Sequence, residues 1–209
     1  MNQYFYKMNQ RKSKRNVAST ASARRQRSIV VREIEGERFF EGDELNAFER
    51  DYLHRQRFLK INTFNIFGRR KEYFVRPRTN EGIEHFFLTM HIARYLKRHL
   101  KVWLYQTTLP DILFEFRNKL IAIEVETGKV LRDKQKFLNK VALCNENYGE
   151  DWFFVVTNRN LLGKYRKFGK TYTRKSVLKK LRWYVRNKPQ KSQTLVDRYK
   201  GYRQQYRYY

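Results

Sequence analysis

Cysteine occurs once in the 209 residues, at Cys144. A single thiol excludes an intramolecular disulfide and any cysteine-based metal cluster, and it fits a reducing compartment. Long apolar runs are also missing: none approaches the ~18 residues that a membrane span requires. Acidic residues are scarce at both ends. Residues 1–28 hold eight Lys/Arg and no acid, and residues 161–209 hold sixteen Lys/Arg against Asp197 alone, so the two flanks carry +8 and +15 of the formal +27. The middle is closer to balance, with six bases and eight acids over 29–60 and seventeen bases and eleven acids over 61–160. Solubility asks a small domain for a net charge of only about 2–8. The excess therefore implies a polyanionic partner, with nucleic acid ahead of an anionic membrane surface. The cytoplasm of a prokaryotic or virus-infected cell suits such a chain, with the nucleus or mitochondrion behind it. The Arg- and Ser-rich, acid-free start also has the composition of a mitochondrial transit peptide, but a phosphate-binding arm explains it without a second assumption.

What is present is aromatic and apolar enough to fold, with 41% hydrophobic and 16% aromatic residues. Four segments follow from the composition: a basic arm over 1–28, a helix plus hairpin over 29–78, an α/β core over 79–160, and a basic extension over 161–209. Leu45, Phe48, Tyr52 and Leu59 recur at helical spacing behind Asp43, a candidate cap. INTFNIFGRRKEYFVRPR then reads as two strands about Gly68, stopped by Pro77. Helix and hairpin together could be a winged-helix remnant with Arg69, Arg70 and Lys71 on the wing, or an ordinary hairpin on a mixed domain. A helix over about 80–99 presents Ile83, Phe86, Phe87, Met90 and Ala93 on one face and Leu88, Ile92 and Tyr95 on another, so both sides should be covered. Strands are expected over 102–108, 111–116 and 119–126, a helix over 130–147 and a buried strand over 151–158. The helix over 173–188 sets Val177, Leu178, Leu181, Tyr184 and Val185 against Lys175, Lys179, Lys180, Arg182 and Arg186. Arg203 lies in the closing RYKGYRQQYRYY, whose rings and guanidiniums could serve bases and phosphates, or pack as a tyrosine stripe.

The acids of the middle segment form a pattern. Side chains alternate along a strand, so Asp111, Leu113 and Glu115 share one face and Ala122, Glu124 and Glu126 share another. With Arg117-Asn118 as a two-residue turn, Phe116 faces Lys119 and Asp111 falls opposite Glu124, about 5 Å apart at Cβ. Carboxylates that close repel unless a proton or cation lies between them. Mg²⁺ or Mn²⁺ on Asp111 and Glu124 is the economical answer beside phosphate-attracting flanks. Such an ion could activate water on a phosphodiester, with Glu126 or a lysine as general base or charge stabiliser. The alternative is a solvated hairpin with casual acids.

LPDILFEF followed by IAIEVETGK resembles the signature of the PD-(D/E)xK nuclease superfamily, and the order helix, three strands, helix, strand over about 80–160 is similar to its restriction-endonuclease-like α/β core. The resemblance implies that Pro110-Asp111 supplies the PD and Glu124 the second acid, while Glu126 stands where lysine is usual. Some members use Glu-x-Glu, and in others the lysine comes from a neighbouring element. Lys129, Lys134, Lys136 and Lys140 are the candidates, with Lys129 nearest in sequence. The family often adds an acid from its first helix; Glu84, at the margin of the apolar face, is preferred to Glu81. The layout EHFFLTMHIARYL, PDILF, IEVETGK is also similar to replication-relaxation proteins of mobile elements. His85 and His91 receive no role. The implied function is metal-dependent DNA cleavage in a mobile element or virus, for which a homodimer would suit double-strand cutting. The alternatives are a degenerate nuclease-fold module that binds DNA or RNA, and an RNA-associated structural protein.

Overall fold

Arg117 and Asn118 turn the chain with φ of 50° and 61°. Positive φ at both central residues is the type I′ pattern, whose twist suits a tight hairpin. It joins two strands of a computed structural model that describes residues 37–105 and 110–188. The basic arm over 1–28 and the Tyr/Arg tail with Arg203 lie outside the described residues. In chain order the elements are β1 (Phe39–Glu41), α1 (Ala47–Arg55), β2 (Leu59–Phe64), β3 (Arg70–Val75), α2 (Ile83–Lys97), β4 (Val102–Leu104), β5 (Ile112–Phe116), β6 (Lys119–Glu126), α3 (Lys134–Tyr148), β7 (Trp152–Val156), α4 (Leu162–Tyr165), β8 (Thr171–Thr173) and α5 (Arg174–Arg186). Single 3₁₀ turns follow β1, β6 and β7.

The result is a mixed α/β structure with two sheets. The smaller is antiparallel in the order β1-β3-β2, and the larger runs β4-β5-β6-β7-β8. Within the larger sheet β4, β5 and β6 form an antiparallel meander, while β7 and β8 lie parallel to β6. A parallel neighbour requires a crossover, which α3 provides between β6 and β7 and α4 between β7 and β8. Helices thus cover both faces. Leu88, Ile92, Ala93 and Leu96 of α2, with Val177, Leu181 and Tyr184 of α5, pack on Ile112, Phe114, Ile121, Ile123, Val125, Phe153 and Val155. Phe137, Val141 and Cys144 of α3, with Tyr165 of α4, pack on Leu113, Ala122, Trp152, Phe154 and Val156. Coverage on both faces is why β7 is apolar throughout and β6 is buried from Ile121 to Glu126.

The other side of α2 presents Phe86 and Phe87 to Phe39, Tyr73 and Val75 of the small sheet. One helix therefore joins both sheets, as its two apolar faces foretold. The cap of α1 is Asn46, which exchanges hydrogen bonds with Glu49 in a capping box, rather than Asp43. Asp43 instead sits in the 3₁₀ turn and ion-pairs with Lys71. The inward face of α3 is Phe137, Val141 and Cys144, and Ala142 and Asn145 are exposed. Asp133 caps its first turn, its side chain accepting the Lys136 N–H. No helix among the described residues is long and apolar enough to cross a membrane.

Candidate active site

The β5–β6 register pairs Phe116 with Lys119, Leu113 with Ala122 and Ile112 with Ile123. Continued one residue further, it sets Asp111 across from Glu124. Asp111 is fixed there because its Oδ2 accepts the backbone N–H of Val125 at 2.7 Å. Leu113, Ala122 and the two glutamates of β6 share the sheet face that α3 covers, so Glu124 and Glu126 are buried beneath that helix. Phe137, Lys140, Val141 and Cys144 recur at i, i+3, i+4 and i+7 on the covering face. Their spacing delivers the Lys140 ammonium between the acids, 2.5 Å from Glu124 Oε2 and 2.9 Å from Glu126 Oε1.

Each carboxylate has a distinct set of partners. Glu126 Oε2 accepts from the buried Tyr165 hydroxyl at 3.0 Å, tying α4 to the site. Glu124 Oε1 faces the Cys144 thiol at 3.9 Å, and its buried Oε2 pairs with Lys140 off hydrogen-bond geometry. Asp111 Oδ1 accepts from His85 Nε2 at 3.1 Å, while the other ring nitrogen of His85 lies 3.0 Å from Glu81 Oε1. The chain Glu81, His85, Asp111 therefore links the start of α2 to the start of β5.

The electrostatics follow from burial and these neighbours. Burial pushes the Glu124 carboxyl up to about 8; Lys140 partly offsets this, and Asp111 reinforces it. Burial opposes the charged form of His85, yet the bonds to Asp111 and Glu81 outweigh it and carry the imidazole up to about 10. Burial also opposes ionisation of Asp111, but His85, Lys140 and the Val125 N–H hold its carboxyl below the usual range. Lys140 is desolvated as well, and the surrounding carboxylates still raise it, so it stays an ammonium. Burial pushes the Cys144 thiol up to about 12, which leaves it a poor nucleophile at neutral pH.

Comparison with family models, with curated proteins and with solved structures finds no match. The chemistry is accordingly read from the site's own residues.

Asp111, Glu124 and Glu126 come together, and Lys140 is the lysine among them. Lys129 is exposed on the 3₁₀ turn after β6, and its ammonium lies 3.7 Å from where a Cβ on Gly82 would stand, at the start of α2. Glu84 is exposed in the first turn of α2, within the field of Arg174. Glu81 reaches the cluster instead, because α2 begins at Ile83 and Glu81 belongs to the preceding turn, outside the helical phase that would have turned it away. His85 and Tyr165 were missed; the i, i+4 spacing from Glu81 was the available signal for the first, and a four-residue helix gave none for the second.

The basic residues divide among several places. Arg69 and Arg70 are exposed at the β2–β3 turn, whereas Lys71 is paired with Glu41 and Asp43. Lys175, Lys179, Arg182 and Arg186 are exposed on α5, and Lys180 lies over the rings of Trp183 and Tyr184. Since α5 packs with α2, these five lie on the sheet face opposite the buried carboxylates.

The donor set can be tested against a metal ion. No group of three or more His, Cys, Asp or Glu side chains converges as a metal cage among the described residues. Mg²⁺ does not need one, because it keeps several waters and takes one or two carboxylates together with substrate phosphates. Asp111 and Glu124 are such a pair of hard oxygen donors, and the Lys140 ammonium stands at Glu124 Oε2, where a cation would have to take its place. By donor type, though not by open oxygens, the pair suits Mg²⁺ or Mn²⁺.

Proposed function

We propose that the chain is a metal-dependent DNA endonuclease, related in its core to the PD-(D/E)xK nucleases and serving a mobile element or virus. One observation carries the reading: Asp111, pinned to the Val125 N–H, stands across a hairpin from Glu124 while Lys140 reaches Glu124 and Glu126 together. The order α2, β4, β5, β6, α3, β7 supports the restriction-endonuclease-like core, with α1 and the β2–β3 hairpin ahead of it. Asp111 and Glu124 would hold the ion. Bound there, Mg²⁺ or Mn²⁺ would polarise the phosphodiester and lower the pKa of an attacking water. Lys140 supplies the fixed positive charge that the family's usual lysine would bring, from a helix instead of the strand, and is placed to offset charge developing on phosphate oxygens. His85 and the Val125 N–H keep Asp111 ionised and oriented, and Tyr165 orients Glu126.

The test incubates the purified chain with supercoiled and branched DNA plus Mg²⁺ or Mn²⁺. Asp111→Asn, Glu124→Gln and Lys140→Met should each lower the cleavage rate at least 100-fold. Cleavage at the wild-type rate by all three would refute the assignment. Binding should weaken with salt at a log–log slope of about −0.9 per phosphate neutralised on duplex DNA.

A second reading has its own support, because Lys140 closes an ion pair over both glutamates. A closed pair can serve a fold that binds nucleic acid without cutting it. Titration calorimetry with Mn²⁺ separates the readings: heat that disappears in Asp111→Asn favours the nuclease, and none in the wild type favours the binding module.

A further inference from the structure

Trp183 is 45% exposed near the C-terminal end of α5. Surfaces carry few exposed tryptophans beyond what function needs, and the surroundings of this one are specific. Lys179 and Lys180 lie one helical turn before it and Arg186 nearly one turn after, so cations bracket the ring along the helix. Phe116 supports it at 5.4 Å between centroids, and Arg117 at the β5–β6 turn lies 5.3 Å over Phe116. Lys180 sits 4.9 Å over the indole itself. The nearby acids are already engaged: Asp151 with Lys119 at 3.1 Å and Glu150 with Lys170 at 3.5 Å. No Asp or Glu occurs on α5.

We propose that Trp183, Phe116 and Arg117, with Lys179 and Arg186, form a docking surface for single-stranded nucleic acid. An unpaired base can stack on the exposed indole by taking the place of the Lys180 ammonium, which then turns to an adjoining phosphate, whereas both faces of a base within a duplex are occupied by its neighbours. The bracketing cations would take the adjoining phosphates. Phe116 and Lys119 are the hairpin-tip pair and Asp111 and Glu124 continue the opposite end of the same strands. Five residues at about 3.3 Å each put the two sites roughly 17 Å apart along the strands. The surface also lies on the other face of the sheet from the carboxylates, so it would hold a strand remote from the buried acids. It stands whether or not those acids cleave.

The test uses the full chain in EDTA, which removes cleavage from the readout. Fluorescence anisotropy follows labelled (dT)₂₀, (rU)₂₀ and a 20-base-pair duplex against wild type, Trp183→Leu and Trp183→Phe. Leucine keeps apolar packing over Phe116 without a flat ring, and phenylalanine keeps a ring. Trp183→Leu should weaken single-strand binding about tenfold, Trp183→Phe should stay within about threefold of wild type, and duplex binding should change less than twofold in both. The two homopolymers report whether the strand is DNA or RNA. Equal single-strand affinity in wild type and Trp183→Leu would overturn the proposal, as would equal weakening in both variants or an equal loss for duplex.

Discussion

Replacing Lys140 by methionine removes the one ammonium shared by Glu124 and Glu126. Breaking a buried ion pair from one side costs about 3–5 kcal/mol, because the partner charge is left without compensation. Two features place this case below that range. The Lys140 side chain is 34% exposed, so water screens part of the interaction. Glu124 can also take up a proton, since burial already pushes its carboxyl well above the usual carboxylate range. A loss of about 2–3 kcal/mol is expected, which in a chain of this size lowers the midpoint by about 5–10 °C. Thermal and urea unfolding at pH 7.5 measure it. The sharper assay is the cycle with Glu126→Gln. That single variant turns an amide toward Lys140, whereas in the double variant the charges of Glu126 and Lys140 disappear together and only Glu124, which can take up a proton, is left unpaired. The double loss should therefore fall short of the sum by about 1–2 kcal/mol. Additivity within about 0.5 kcal/mol would show that the pair is not coupled, and the reasoning about the site's electrostatics would fail with it.

His91 is 4% exposed among Phe39, Phe67, Tyr73 and Phe87, and burial followed by Arg94 and Arg174 lowers its imidazole to about 4. The unfolded chain then binds a proton that the folded chain refuses between pH 6.5 and 4, so stability should fall by about 3 kcal/mol as pH drops through that window. His91→Phe should flatten the dependence in urea titrations at pH 7 and 4.5; an unchanged slope would assign the loss to other groups. Gly128 leaves β6 with φ of 89°, and a Cβ there would stand 2.9 Å from Leu161 Cδ2. Gly128→Ala should cost about 1–2 kcal/mol in urea unfolding from the left-handed backbone alone, and Leu161→Ala beside it should recover only the contact.

The β5–β6 hairpin was legible because its information is local. Alternation fixes which side chains share a face, a two-residue turn fixes the register, and the two together place Asp111 against Glu124 from sequence numbers alone. Helix α2 was legible for a similar reason, since two apolar faces at helical spacing require two neighbours. The three-residue strands β1 and β8 and the four-residue α4 were not. Elements that short carry no periodicity, and their form depends on pairing with β3, β7 and the sheet face.

The sequence by itself determined a near-neutral folded middle between basic flanks and a hairpin that sets acids on one side of a sheet. It could not say which lysine meets those acids, because Lys129, Lys134, Lys136 and Lys140 differ by long-range packing rather than by local pattern. The tertiary structure decided for Lys140, by carrying α3 back across β6 with Phe137, Val141 and Cys144 turned inward and Lys140 in the same stripe. It likewise brought Glu81 and His85 to Asp111 and put the cations of α5 on the far side of the sheet. A crossover helix chooses its face by burying apolar area against strands remote in sequence, and any charge in that stripe arrives wherever the packing puts it.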